Sequence, residues 1–340
     1  MMKSRVSIFP VFLLLVQAVA VMLVLYVEVH KTPQYEKRTA NSYHHKRFMS
    51  APSEFSHITD QINDEGQLTT VAQLTSGGEQ FRTVTDVVSG LRKNVIMTCV
   101  NRGFLPLLIN LLYSIQQLNI RNLPPILIIC EDQEAYLEMS KVKGNFSMNM
   151  LLTLTNMNES VSEATAFKSD DYKNLVQKRV SYIGIFLQSG INIFYIDSDI
   201  VLLENPFSFF RGNFDLFIQN ELPGKTDLCT GFFYLRANER TVALVQAWEE
   251  LLPTDPSGNQ RVFNIVVRKM RNKKVERKKK LKLKVLPMDR FLSGKVFRLS
   301  GNQSWIERNP KPVEIHANFL VGIESKIDML KNNDLWFVEH

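Results

Sequence analysis

Two aspartates one residue apart, Asp197 and Asp199, interrupt an apolar stretch, "NIFYIDSDIVLLENP" at 192–206. Carboxylates in such surroundings are unstable without compensation. At a strand end the pair can aim its oxygens at one small volume, where a hard divalent cation would compensate and still leave positions for substrate phosphates. The D-x-D pattern is also common in solvated turns, but the apolar flanks favour the metal. His316, at the end of "PVEIH", is a third candidate ligand, although a lone histidine is more often structural.

Two lysines are candidates for binding a diphosphate beside this site. Lys178 lies in a predicted helix before the aspartates, and Lys326 follows His316 by ten residues. A lysine is a suitable point charge for phosphate, but exposed lysines without a ligand are the common case.

Strand and helix patterns alternate around these residues, which predicts βαβ units on a mostly parallel mixed sheet, and hence an α/β fold. Ligands of such sheets lie beyond the carboxyl ends of the strands, where Asp197 and Asp199 are predicted to lie. The predicted strands are 94–100, 126–130, 150–155, 191–196, 215–219, 231–237, 282–287 and 312–317, and the predicted helices are 79–93, 105–118, 133–140, 171–189, 238–252 and 259–270.

The N-terminus predicts a membrane anchor. Residues 6–27 carry no charge and as a helix would span roughly 33 Å, enough to cross a bilayer. A cleaved signal peptide ending at Ala18-Val19-Ala20 is the alternative, but the apolar run continues beyond it. We therefore expect a cytoplasmic tail at 1–5, a signal anchor at 6–27, a polar stem at 28–90 and a folded domain at 91–340. The basic residues after the span point to the opposite orientation, a signal of limited weight before a long folded domain.

Sequons and cysteines bear on the compartment. Asn145, Asn158 and Asn302 each begin an Asn-x-Ser sequon, which suits a lumenal, N-glycosylated domain. The three cysteines, Cys99, Cys130 and Cys229, are too few for a disulfide scaffold, so we expect buried thiols, with one bridge and one free thiol as the alternative.

Basic charge is concentrated in one segment, 268–284. It holds eleven basic residues and one acid, a net of +10, whereas the whole chain carries +7, so the remainder is about −3. The anchor and the lack of interleaved aromatic residues argue against a nucleic-acid partner. A solvated insertion, an acidic glycan contact and an anionic membrane contact all remain open.

Five motifs together carry a family resemblance that covers roughly 94–336. In order they are "GINIFYIDSDIVLLENP", "TGFFYLRANERTVALVQAW", "NQRVFN", "VLPMDRFLSGKVF" and "HANFLVGIESKIDMLKNNDLW". This set resembles the nucleotide-diphospho-sugar transferase family, which includes retaining xylosyl- and arabinosyltransferases. The resemblance implies a GT-A-like domain in which Asp197 and Asp199 hold Mn²⁺ (or Mg²⁺) against the donor diphosphate, His316 completes the metal site and Lys178 is a basic neighbour.

The resemblance also gives the remaining site expectations. Gln260 is expected at the sugar, beside Asn259, which stands where the family usually has aspartate. Cys229 stands where the family tends to have asparagine, and Asp227 is an alternative carboxylate. The expected catalytic residues are therefore Gln260, Asn259 and Asp227. The expected nucleotide-sugar contacts are Thr98, Asn101, Lys178, Asp197, Ser198, Asp199, Gly322 and Lys326.

The expected function is that of a type II Golgi membrane glycosyltransferase with a lumenal catalytic domain, which moves a sugar from a UDP-sugar donor to a glycan or glycoprotein acceptor with retention of configuration. Asn259 and Cys229 keep open a catalytically silent relative that binds nucleotide sugar, acidic glycan or a partner enzyme. A basic glycan-binding membrane protein without a donor site is a third alternative.

Overall fold

A computed structural model describes residues 60–62, 68–70, 87–88, 91, 93–155, 170–224, 226–300 and 304–338, with backbone only for 60–62, 68–70 and 170–177. All of these lie in one compact unit, Ser56–His340. The predicted tail, the predicted anchor and most of the predicted stem lie outside the described residues. Within the described ranges, no helix is both long and apolar enough for a membrane span.

The strands and helices of the unit have the following bounds. The strands are β1 Asp60–Ile62, β2 Leu68–Thr70, β3 Asn94–Val100, β4 Ile126–Cys130, β5 Met150–Leu154, β6 Asn192–Ile196, β7 Ile200–Leu202, β8 Leu216–Asn220, β9 Leu228–Leu235, β10 Leu283–Val285, β11 Phe291–Ser293 and β12 Glu314–His316. The helices are α1 Leu105–Gln117, α2 Gln133–Val142, α3 Asp170–Gln188, α4 Glu239–Leu251, α5 Asn259–Met270, α6 Gly294–Leu299 and α7 Ile323–Lys331, with short 3-10 turns at Arg102–Phe104, Lys143–Asn145 and Pro206–Phe209.

The main sheet has seven strands in the order β10-β8-β9-β6-β3-β4-β5. β9 runs antiparallel to both of its neighbours, β6 and β8, while every other pair is parallel. The prediction of an α/β fold with a mostly parallel mixed sheet is therefore confirmed. The carboxyl ends of six strands and the start of β9 meet at one edge.

A second, three-stranded sheet has the strand order β11-β12-β7. It adjoins that edge because β7 begins at Ile200, the residue directly after Asp199. β12 pairs antiparallel with β7, with His316 opposite Ile200. This pairing brings a histidine far down the sequence next to the D-x-D motif.

The main sheet is buried on both faces. All five residues of β4 are buried, as expected for a parallel strand covered on both sides. In β3 successive side chains enter different cores, with Val95 and Met97 on one face and Ile96 on the other. α4 packs on the first of these faces through Trp248, which is fully buried. The site edge is therefore built on a rigid, packed sheet.

The structure departs from the sequence expectations in its short elements. The predicted stem contains two three-residue strands, β1 and β2, which pair antiparallel. Of the helix predicted at 79–93, the structure describes 87–88, which are helical, and 91 and 93, which are not. β7, β11, α6 and α7 were not predicted. All three cysteines are free thiols, so the buried-thiol interpretation holds for Cys130 and Cys229, while Cys99 is half-buried and no bridge forms.

Candidate metal and donor site

The D-x-D motif lies where β6 of the main sheet passes into β7 of the small sheet. The Asp197 N–H donates to Gly231 O at 2.8 Å, which continues the pairing of β6 with β9 by one residue. The Ala317 N–H donates to Asp199 O at 2.9 Å, which ties the motif to the end of β12. The chain leaves the pleat between the two aspartates, and both side chains reach the same volume.

Asp197, Asp199 and His316 form a compact triad. One ligand atom from each lies within 4.8 Å of the other two. His316 Nε2 lies 3.2 Å from Asp199 Oδ1 and 3.9 Å from Asp197 Oδ2. The side chains of His316 and Asp199 are buried, and that of Asp197 is 32% exposed, so the triad opens to solvent on the Asp197 side.

Two basic side chains hold the aspartate carboxylates in place. Lys326 Nζ, from α7, donates to Asp199 Oδ2 at 2.6 Å and to Ala317 O at 2.8 Å. Arg179 Nη1, from α3, donates to Asp197 Oδ1 at 3.3 Å. Burial raises the pKa of Asp199, but Lys326 and His316 outweigh it and hold that pKa well below its ordinary value. Burial lowers the pKa of His316, but the carboxylates of Asp199 and Asp197 raise it to about 9.

The donor set fits a hard divalent cation. Two carboxylates and one imidazole are a mixed oxygen and nitrogen set suited to Mn²⁺ or Mg²⁺. The neighbouring backbone leaves room for the carboxylate because residue 231 is glycine: a Cβ at Gly231 would collide with Asp197 Oδ2 and approach His316 Cε1 to 2.7 Å. Lys326 engages one oxygen of Asp199 and leaves the other facing His316.

A buried chain of polar side chains orients the imidazole. Gln219 Nε2 donates to Glu314 Oε1 at 2.5 Å, so Gln219 Oε1 faces His316 Nδ1, at 3.3 Å. In this arrangement the proton is on Nδ1 and, in the neutral ring, the Nε2 lone pair points at the aspartates. Cys229 Sγ lies 3.6 Å from the same Nδ1.

The three residues expected to be catalytic lie together at the start of α5 and β9. Gln260 Nε2 donates to Glu221 Oε2 at 2.7 Å and to Asp227 Oδ1 at 3.4 Å, and Gln260 Oε1 accepts from the Thr230 N–H at 3.3 Å. Asn259 Nδ2 donates to Thr230 Oγ1 at 3.1 Å. With its amide occupied in this way, Gln260 positions two acids.

The expected nucleotide contacts are only partly brought together. Lys326 reaches the triad, and Asn101 is buried at the carboxyl end of β3. Lys178 is half-buried; burial lowers its pKa, and nearby Glu131 at the end of β4 opposes that shift. Thr98 is buried inside β3, and among the described residues its hydroxyl has no hydrogen-bond partner. Ser198 lies between the aspartates, and Gly322 is exposed as the N-cap of α7.

Sequence reasoning missed several residues that shape the site. Arg179 occupies the apolar face of α3, where an arginine is unusual and signals a buried carboxylate partner. Glu221 directly follows the buried strand β8, as Asp197 follows β6. Glu131 directly follows β4 and Gln219 lies within β8; Asn318, two residues after His316, had no signal of its own.

Two remaining expectations fall at the periphery. Asn145 is exposed in the 3-10 turn after α2, and Asn158 and Asn302 lie outside the described residues. The basic segment 268–284 runs from the end of α5 into β10. Gln260 lies in the first turn of α5, so the segment begins roughly 12 Å away along the helix.

The chain is similar in sequence to several known proteins. Two curated Arabidopsis thaliana UDP-D-xylose:L-fucose alpha-1,3-D-xylosyltransferases are 26% and 24% identical to the chain, over 73% and 72% of it and 67% and 71% of their own lengths. A Dictyostelium discoideum UDP-galactose:fucoside alpha-3-galactosyltransferase is 25% identical over 72% of the chain and 43% of its own length. The glycosyltransferase GlyE of Streptococcus pneumoniae superimposes with a TM-score of 0.45 at 12% identity, over 72% of this chain and 65% of that one, too loosely to add to the assignment. The family sequence model of the nucleotide-diphospho-sugar transferases matches residues 121–330, which include both aspartates, Gln260 and His316. The chain belongs to the nucleotide-diphospho-sugar transferase family.

Proposed function

We propose that this protein transfers a sugar from a UDP-sugar donor to a hydroxyl of a glycan or glycoprotein acceptor, with the help of a divalent cation and with retention of configuration, in a GT-A-type domain. The observation that carries the proposal is the triad of Asp197, Asp199 and His316, whose ligand atoms lie within 4.8 Å of one another. Family membership supplies the donor class.

The residues of the site have distinct tasks in this reaction. A cation bound by the triad would neutralise the negative charge that grows on the departing diphosphate. Lys326 and Arg179 hold the aspartates in place, and Lys326 adds a positive charge beside the phosphate position. Gln219 fixes the ring of His316. The packed sheet beneath keeps these groups preorganised.

The names of the relatives indicate which donors and acceptors to test first. The plant relatives are named for UDP-xylose and fucose, and the Dictyostelium relative for UDP-galactose and a fucoside. The two groups share a UDP donor, a fucosyl acceptor and an alpha product. We therefore propose UDP-xylose and UDP-galactose as the first donors to test, with alpha-fucosides as acceptors.

The test measures UDP release by the full-length chain in detergent, for each donor, with and without Mn²⁺ and a fucoside acceptor. We expect Mn²⁺-dependent release in the wild type and its loss in Asp199→Asn. Glu250→Gln, which changes an exposed glutamate on α4, is the matched control and keeps full turnover.

A silent relative is the second candidate, and it is favoured by Asn259 and Cys229, which stand where the family usually has other residues. It predicts Mn²⁺-dependent UDP binding in the same experiment without release of UDP from any donor. Absence of both binding and turnover would exclude the two candidates together.

We also propose the predicted topology: a tail at 1–5, a signal anchor at 6–27, a stem at 28–90 and a lumenal catalytic domain at 91–340 in the Golgi. Resistance of the chain to alkaline extraction from membranes tests the anchor. A mobility shift on glycosidase treatment that is lost in part in Asn145→Gln tests the lumenal orientation, and no shift in the wild type would contradict it.

A further inference from the structure

A second buried carboxylate, that of Glu221, lies beside the metal triad. Glu221 directly follows β8 and is 6% exposed. Its Oε2 accepts from Gln260 Nε2 at 2.7 Å and its Oε1 accepts from Asn318 Nδ2 at 2.9 Å. Its backbone is also fixed, since its carbonyl accepts from Ser293 Oγ at 2.8 Å. The carboxylate is therefore held from both sides in one orientation.

Glu221 differs from the two aspartates in its partners. Asp197 is paired with Arg179 and Asp199 with Lys326. Among the residues that the structure describes, no lysine or arginine forms an ion pair with Glu221. Two neutral amides donate to its carboxylate, and the Cys229 side chain also hydrogen-bonds to it. Burial raises the pKa of Glu221, while the hydrogen bond from Gln260, the charge of nearby His316 and the hydrogen bond with Cys229 oppose this shift. A buried carboxylate without a lysine or arginine partner is costly in the resting protein and gains when more positive charge arrives next to it.

Glu221 adjoins the triad through shared neighbours. Its partner Asn318 follows His316 by two residues. Its partner Gln260 accepts from the Thr230 N–H, and Thr230 lies between Cys229, which contacts His316, and Gly231, which contacts Asp197. Each carboxylate oxygen has a further lone pair beyond the amide bonds, so Glu221 can accept another hydrogen bond without losing its supports.

The first turn of α5 fixes one side of this carboxylate. The Asn259 amide is engaged with Thr230. The residue after it, Gln260, donates directly to Glu221. The buried carboxylate that directly follows β8 is thus held against the start of α5.

We propose that the Glu221 carboxylate contacts the transferred sugar and stabilises the positive charge that develops at its anomeric carbon. This inference rests on the proposed function. The bond from the anomeric carbon to the diphosphate oxygen breaks, and its electron pair leaves with the diphosphate. The acceptor hydroxyl oxygen forms the new bond to that carbon, and its proton passes to the departing diphosphate. Glu221 forms no bond in this sequence; it offsets charge and accepts a hydrogen bond from a sugar hydroxyl.

The test compares Glu221→Gln and Glu221→Ala with the wild type, with Glu250→Gln, an exposed glutamate on α4, as the matched control. We expect both variants to lose turnover by roughly 100-fold or more, while UDP affinity in the presence of Mn²⁺ stays within threefold. In Glu221→Gln the new amide N–H₂ would face Gln260 or Asn318, which are themselves donors, so a loss of turnover could reflect a disturbed site. The decisive measurement therefore uses Glu221→Ala with added sodium azide or formate. We expect the small anion to restore part of the turnover of Glu221→Ala and to leave the wild type unchanged.

Three results would overturn the role of Glu221: turnover within threefold of wild type in Glu221→Gln, a parallel loss of UDP binding in both variants, or no rescue by either anion. A wild type that releases no UDP from any donor would overturn the proposed function, and this inference with it. An active wild type beside an equally active Glu221→Gln would remove this inference alone.

Discussion

Gly231 shows how little free space the metal site has. Its Cα lies where any side chain would meet the Asp197 carboxylate and the His316 ring. Its neighbour in the chain, Thr230, is bonded to Gln260 and Asn259. One residue type at one position in β9 therefore decides whether the carboxylate and the imidazole can converge.

Gly231→Ala is expected to abolish Mn²⁺ binding and turnover while the protein stays folded, because the new methyl group displaces the Asp197 carboxylate. Binding is measured by Mn²⁺ electron paramagnetic resonance, and folding by thermal melting. The control is Gly184→Ala in α3, whose new Cβ would have its nearest neighbour at 3.6 Å and which should stabilise the helix by up to about 1 kcal/mol. Wild-type Mn²⁺ affinity in Gly231→Ala would contradict the geometry of the site.

Lys326→Gln separates the two expected tasks of that lysine. Removal of a positive charge bonded to Asp199 should raise the affinity of the free protein for Mn²⁺ by roughly tenfold and weaken UDP binding by a similar factor. Titration calorimetry with Mn²⁺ and then with UDP measures both, with the exposed Lys295→Gln as control. If both affinities fall together, Lys326 is a structural support instead.

At the scale of elements, Asp215 joins the starts of three elements of the main domain. Its carboxylate accepts from Arg240 Nη2 at 2.6 Å and Nε at 2.7 Å, from the Lys282 N–H at 2.8 Å and from Asn238 Nδ2 at 3.3 Å. These partners lie at the starts of α4 and β10, and Asp215 itself precedes β8. This cluster lies at the opposite end of β8 from Glu221.

Asp215→Ala is expected to lower the free energy of unfolding by about 2 to 4 kcal/mol, because it leaves Arg240 and a backbone N–H without their acceptor. Burial raises the pKa of Asp215, but the hydrogen bonds from Arg240 and Lys282 outweigh it and lower that pKa below its ordinary 3.8. The stabilisation is thus present above pH 3.8 and is lost as the pH falls through the lowered pKa, so wild type and variant should converge in acid. Urea unfolding at several pH values measures this, with the exposed Asp328→Ala as control; a constant difference down to pH 2 would exclude the linkage.

The elements that sequence could predict are those with long apolar runs. The strand at 94–100, the strand at 126–130 and the helix at 259–270 were predicted with their observed bounds. β7, β11 and α6 were missed because three to six residues carry too little periodicity. The metal triad could be predicted from acids and a histidine at the ends of apolar strands, together with the family resemblance. Glu221 had the signal of an acid directly after a buried strand, but its role and that of Asn318 could not be predicted, because that role depends on β8, α5 and the end of β12 meeting in space.

At the scale of the whole molecule, the basic segment 268–284 dominates the charge and begins at the opposite end of α5 from Gln260. Exposed side chains make up most of it, and Glu276 is its one acid, paired with Lys278. The excess of positive charge at the surface favours contact with a polyanion such as an acidic glycan or an anionic lipid headgroup.

Glutamine at the five lysines of 273–280 (Lys273, Lys274, Lys278, Lys279 and Lys280) is expected to leave turnover on neutral acceptors within twofold and to lower the salt concentration at which the chain elutes from a heparin column. Glutamine at five exposed lysines outside the segment (Lys93, Lys141, Lys295, Lys311 and Lys331) is the control for total charge. Equal loss of turnover on neutral and acidic acceptors would argue against a role in acceptor binding.

The distance along the chain between Asp199 and His316, 117 residues, gives the triad a role in folding as well as in chemistry. A cation that binds all three side chains closes the loop of chain between Asp199 and His316. Closing that loop has a large entropy cost, which is met only when β7 and β12 pair. The binding site therefore does not exist in the unfolded chain, and a cation at a hundredfold excess over its dissociation constant should stabilise the folded state by about 2.7 kcal/mol. A rise in melting temperature on adding Mn²⁺, absent in Asp199→Asn, would report that Asp199 and His316 come together only in the folded domain.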